Sequence, residues 1–154
     1  MHLVFVFLVM QLDDAYFMKQ AMVEAEKAFS ADEVPVGAVV VVDSQIIARA
    51  HNLIERLNDV TAHAEMQAIT SAANFLNGKY LVGCTLYVTL EPCIMCAGAL
   101  TWSQIDCIVY GASDPKRGFV HAGLNLHHKT DIRKGIMGKE SEDLLDRFFR
   151  QKRS

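Results

Sequence analysis

An α/β layer fold follows from three features of the chain. Val36-Gly37-Ala38-Val39-Val40-Val41-Val42 is a nearly unbroken β-branched run, the pattern of a strand covered on both faces. Stretches of helical periodicity alternate with further short β-branched runs. No repeat, linker or low-complexity segment interrupts the 154 residues, a length that fits one domain with a real core.

Asp13-Asp14 supply a helix N-terminus, and Met18, Ala21, Met22, Ala25, Ala28 and Phe29 recur at helical spacing behind it. After the strand at 36–42, Asp43-Ser44 make a turn and Ile46-Ile47-Ala48 return as its hairpin partner. A helix is expected over 62–76, stopped by Asn77-Gly78. Leu86-Tyr87-Val88-Thr89 reads as a strand, 92–102 as a helix and Cys107-Ile108-Val109-Tyr110 as another strand. A loop rich in Gly, Lys, Arg and His fills 111–129, with a weaker strand near Asp131-Ile132-Arg133. The last helix, from about Ser141, carries acids in its first turn and bases in its last, matching the helix dipole.

Composition narrows the function classes. Half the residues are hydrophobic (51%) and 21% are charged, which argues against disorder. A formal net charge of −3 gives no global attraction to nucleic acid, so RNA binding would need a local basic patch. Four cysteines, two in a Cys-x-x-Cys pair, suit a reducing compartment and a metal site better than a disulfide scaffold. The apolar run at 1–10 is far short of the ~20 residues that span a bilayer. It lacks the basic start and small-residue cleavage site of a secretory signal, and suits an extra edge strand or a translation start misplaced upstream of Met10. No membrane association is expected, and residues 12–154 are read as the domain.

The chemistry is carried by Thr61-Ala62-His63-Ala64-Glu65 and Glu91-Pro92-Cys93-Ile94-Met95-Cys96. His63, Cys93 and Cys96 are three zinc ligands, and a fourth position left to water marks a catalytic rather than a structural site. Pro92 suits the first turn of a helix, which would place Cys93 and Cys96 on one face and at an N-terminus that favours thiolates. Two residues apart on a helix, His63 and Glu65 point to nearly opposite sides. They can serve one site only in the first turn, off the helix tip. Two helix N-termini would then face the ion at the carboxyl ends of the strands. Zinc would bring water to a pKa near neutrality, and Glu65 would carry protons to and from the reacting ring. His-x-Glu followed by Pro-Cys-x-x-Cys is the signature of zinc nucleobase deaminases. Cys84 and Cys107 lie beside strand runs and read as small core residues.

A narrower resemblance rests on longer stretches. Val34-Pro35-Val36-Gly37-Ala38-Val39, Thr61 to Glu65, the run from Thr85 to Ala99, Gly111-Ala112-Ser113-Asp114-Pro115-Lys116-Arg117-Gly118 and Leu144-Leu145-Asp146-Arg147-Phe148-Phe149-Arg150 resemble bacterial tRNA adenosine deaminases. That resemblance implies a cytidine-deaminase-like three-layer α/β/α sandwich with a five-stranded mixed sheet. It also implies a cytoplasmic homodimer holding one Zn2+ per subunit, which deaminates the wobble adenosine of a tRNA anticodon stem-loop to inosine. Asn52 stands where the family places an asparagine on the flipped-out base, and the Ala64 N–H would be a second donor to it. Asp114 and Lys116 fall in the loop that faces the substrate strand, where a carboxylate can accept from a ribose 2′-OH. Arg117, Phe149 and Arg150 would meet RNA, the phenylalanine by stacking. Adjacent helix residues cannot face the same way, so one of Phe148 and Phe149 belongs to the core. Val60 departs from the family's proline, and 119–129 is short, with His121, His127 and His128 read as exposed loop histidines. Two alternatives stay open: a free nucleobase or nucleoside deaminase of the guanine deaminase type, and a zinc scaffold without activity.

Overall fold

The computed structural model describes residues 12–153, so the expectations for 1–10 lie outside the described residues. Helix α1 (Asp14–Ser30) starts where Asp13 accepts the Tyr16 N–H through Oδ1 at 2.9 Å. Strands β1 (Gly37–Val42) and β2 (Gln45–His51) form the hairpin, followed by the short α2 (Ile54–Leu57) and by α3 (Ala64–Leu76). Then come β3 (Thr85–Leu90), α4 (Ile94–Ser103), β4 (Cys107–Ala112), β5 (Asp131–Lys134) and α5 (Gly138–Arg153). The sheet runs β2-β1-β3-β4-β5. β1 is antiparallel to β2 and β3, whereas β3, β4 and β5 are parallel. Five strands of mixed sense are what the resemblance implies.

Alternation along the strands builds three layers. Ala38, Val40, Leu86, Val88, Ile108 and Tyr110 point to one face and pack with Ala64, Ala68 and Ala72 of α3 and Ala97 and Leu100 of α4. Val39, Val41, Tyr87 and Val109 point to the other and pack with Phe17, Met18 and Ala21 of α1. Small residues on α3 and α1 let both helices sit close. Gly37 is the limiting case, since a Cβ there would lie 2.1 Å from the Ala21 carbonyl oxygen and 2.3 Å from the Ala25 nitrogen.

Several boundaries move from the sequence reading. Helix α3 begins at Ala64 rather than 62, because Ala62 and His63 are held outside it: the Ala62 carbonyl accepts the Leu53 N–H at 3.0 Å. Helix α4 begins at Ile94, with Cys93 at its N-cap and Pro92 before it, so Pro92 is not in the first turn. The cause is a pairing with the later loop: the Pro92 carbonyl accepts the Phe119 N–H at 3.0 Å, and Cys93 bridges Gly118. Gly111 and Ala112 extend β4, and α5 starts three residues early. The short α2 carries no periodic signal. It is held by Glu33, whose buried carboxylate accepts the N–H groups of Glu55 and Arg56 at 3.1 and 2.8 Å.

Candidate active site

His63 and Cys93 are the N-cap residues of α3 and α4, and Glu65 and Cys96 lie in the first turns of the same helices. Both helix N-termini therefore converge on one point, which resolves the facing problem posed by His63 and Glu65. The His63 Nδ1 lies 3.7 Å from the Cys93 Sγ and 3.5 Å from the Cys96 Sγ. The three ligand atoms fall within 4.8 Å of one another, a group able to hold a metal ion. Among the described residues no other such group occurs, so Cys84, Cys107, His121, His127 and His128 take no part in one. Cys84 and Cys107 are buried in the core, as their strand setting suggests.

Electrostatics around the three ligands is uneven. Hydrogen bonding by the Cys96 thiol, then by His63 and the Cys96 backbone, outweighs burial and holds the Cys93 thiol at about 4. The same contact with Cys93, together with burial, keeps the Cys96 thiol protonated far above its ordinary range. Its hydrogen bond to Cys93 raises the His63 imidazole. Glu65 is buried at 4% exposure, and that burial pushes its carboxyl up to about 7. A carboxyl poised there can both take and give a proton near neutral pH.

A cavity of ≈ 630 Å³ opens onto these residues, and its lining includes Asn52, His63, Glu65, Cys93, Asp114, Lys116, Arg117 and Phe149. Asn52 bridges three segments: its Nδ2 donates to the Val34 carbonyl at 3.0 Å and its Oδ1 accepts the Ala64 N–H at 2.8 Å. The Ala64 N–H, expected to face a ligand, is thus engaged within the chain. One amide hydrogen and one lone pair of Asn52 remain for the cavity. Asp114 closes its own turn, with Oδ1 accepting the N–H groups of Lys116 and Arg117 at 3.1 and 3.0 Å.

In α5 the phenylalanines divide as anticipated: Phe148 is buried, while Phe149 is 40% exposed in the cavity wall. The basic ending is less free than its sequence suggests. Lys152 pairs with Asp32, and the Arg147 guanidinium lies 4.9 Å from the centre of the Phe29 ring. Arg150 stays exposed, its Nε 3.4 Å from the Asp146 carbonyl, and does not line the cavity. Sequence reasoning missed Glu91, which lines the cavity, and Gly118, which lies against its carboxylate. Only the position of Glu91, two residues before Cys93, hinted at a part in the site.

A family model described as MafB19-like deaminase matches residues 12–153. The tRNA-specific adenosine deaminase of Agrobacterium fabrum (strain C58 / ATCC 33970) is 47% identical over 144 residues, covering 90% of this chain and 95% of that protein. A structure solved in studies of A-to-I editing by tRNA:A34 deaminases at the wobble position of transfer RNA matches with TM-score 0.79 and 45% identity. That match covers 84% of this chain and 98% of the other. Guanine deaminase from Bacillus subtilis matches less well, with TM-score 0.62 and 38% identity over 71% of this chain and 69% of that one. The chain belongs to the MafB19-like deaminases and, among them, to the tRNA-specific adenosine deaminases.

Proposed function

We propose that this protein hydrolyses the wobble adenosine of a tRNA anticodon stem-loop to inosine and ammonia, with Glu65 as proton carrier and His63, Cys93 and Cys96 as zinc ligands. The observation that carries the reading is a buried carboxylate beside a His/Cys/Cys group in a cavity that Lys116, Arg117 and Phe149 also line. The donor set fits zinc. A tetrahedral ion with ordinary bond lengths to sulfur and nitrogen separates those ligands by about 3.6 Å, close to the 3.5 and 3.7 Å found between His63 and the two thiols. Bound there, zinc supplies a Lewis acid that makes water nucleophilic near neutral pH.

Glu65 takes the first proton from the attacking water and passes it to the ring nitrogen beside the amino-bearing carbon. It then takes the second from the newly added hydroxyl and delivers it to the amino group, which leaves as ammonia while the carbonyl forms. Asn52 offers its remaining donor and acceptor to the purine edge. Asp114 keeps one carboxylate oxygen clear of its turn for a ribose 2′-OH. Lys116 and Arg117 meet phosphate, and Phe149 stacks a neighbouring base. Arg150 contacts RNA beyond the cavity mouth. Among the described residues no helix is long and apolar enough to cross a membrane. The tRNA substrate and the free thiols support a cytoplasmic, reducing setting.

Incubation with an arginine-tRNA anticodon stem-loop, free adenosine, guanine and cytosine, followed by product analysis, tests this function. Inosine in the stem-loop alone is the expected result. Turnover of a free base alone would replace it with the guanine deaminase type, and no turnover in zinc-loaded protein would leave a scaffold.

The enzyme works as a homodimer built on α4. This helix is apolar all round, the pattern of a helix buried on every side. Within one chain, however, Ile94 is 58% and Trp102 83% exposed. Sedimentation at micromolar concentration is expected to show a dimer, and Trp102→Glu a monomer. A wild-type monomer would remove the assembly from the proposal.

A further inference from the structure

We infer that Glu91 is a positioning residue that fixes the substrate-facing wall of the cavity to the metal-binding segment. The inference rests on the proposed tRNA substrate for its kinetic consequence, though not for the anchoring itself. Glu91 is 5% exposed and has no cationic side chain among its hydrogen-bond partners. Its two carboxylate oxygens accept backbone N–H groups from the ends of one loop. Oε1 takes that of Asp114 and Oε2 that of Val120, each at 3.2 Å. Between those points Gly118 lies directly on the carboxylate, so close that a Cβ would fall 1.7 Å from Oε2.

The neighbours of Glu91 extend the same attachment. Its own N–H donates to the Ala112 carbonyl at 2.8 Å, the Pro92 carbonyl accepts the Phe119 N–H at 3.0 Å, and Cys93 bridges Gly118. Three consecutive residues, ending on a metal ligand, thus hold both ends of the loop that presents Asp114, Lys116 and Arg117. A carboxylate is needed because two donors approach one side chain. Glutamine would offer a single acceptor and set its NH2 against the second N–H, leaving a buried donor unpaired.

Limited trypsin digestion and kinetics on the anticodon stem-loop test the inference in Glu91→Gln. Cleavage after Lys116 and Arg117 is expected to accelerate at least tenfold, because those bonds open with the loop, while cleavage after Lys79 in an unrelated turn stays at the wild-type rate. KM for the stem-loop should rise at least tenfold with kcat within threefold of wild type. Glu91→Asp, which keeps both acceptors on a shorter stem, should recover part of each change. Loop cleavage that is unchanged, or accelerated equally at Lys79, would overturn the inference, as would an unaltered KM in a wild type active on the stem-loop. If Glu91→Gln does not fold, Glu91→Asp must show the loop-selective cleavage or the inference fails. A wild type inactive on the stem-loop would sink the substrate assignment, and the digestion would still decide the role of Glu91.

Discussion

Glu65→Gln is expected to retain zinc at one ion per chain and to lose roughly 10²–10⁴-fold in kcat on the stem-loop. The side chain keeps its shape and burial, so the three ligands have no cause to move. What disappears is a buried carboxylate beside the His/Cys/Cys group, poised at about 7 by its burial. Single-turnover inosine formation, with zinc counted by native mass spectrometry, checks both halves. Activity above a hundredth of wild type would remove Glu65 from proton transfer.

The same substitution has an opposite effect on stability. Burial raises the Glu65 carboxyl from 4.5 to about 7, so between those values the folded state holds a proton that the unfolded state has released. Folded, zinc-stripped protein therefore loses stability as pH rises through that window, by roughly 3 kcal/mol once above it. Glutamine carries no such penalty. After chelation, Glu65→Gln should unfold at higher denaturant than wild type at pH 8, and the two curves should coincide at pH 4. Equal midpoints at pH 8 would mean that the carboxyl is hydrated in the chelated protein.

Gly37→Ala is expected to be the most damaging single methyl group in the core. Its Cβ would overlap the backbone of α1 at two atoms, Ala21 O and Ala25 N, and neither can rotate away. The helix must lift off β1, at a cost of about 3 kcal/mol or more, which lowers Tm by roughly 6–12 °C in a chain of this size. Gly78→Ala is the control. Its nearest neighbour is the Leu76 carbonyl at 3.9 Å, and a change within about 0.5 kcal/mol is expected. Calorimetry on the pair checks the argument, and equal Tm values would show that α1 is not seated on Gly37.

The layers and the His/Cys/Cys group were readable because they rest on local signals. A β-branched run announces β1 wherever it lies, and His-x-Glu with Pro-Cys-x-x-Cys contains its own chemistry. The contacts that shape the cavity were not readable, since each joins segments distant in the chain. Asn52 reads as a pocket amide, yet it also ties Val34 to Ala64. Glu91 resembles any acid before a helix until residues 114–120 return to cover it. The start of α4 was misplaced for the same reason: proline propensity favoured Pro92, and pairing with Gly118 and Phe119 prevailed. Basic residues clustered in the sequence at the C-terminus looked free for RNA, and Phe29 in the last turn of α1 and Asp32 just beyond it took two of them.

The position of the two metal-bearing caps also orders events during biosynthesis. Cys93 follows His63 by thirty residues, and β1 and β3, the strands behind them, pair across about fifty, as between Ala38 and Val88. Closing so long a segment is slow compared with helix formation. Translation therefore exposes His63 before the two thiols, and the three side chains come within reach of one another only once the central strands have paired.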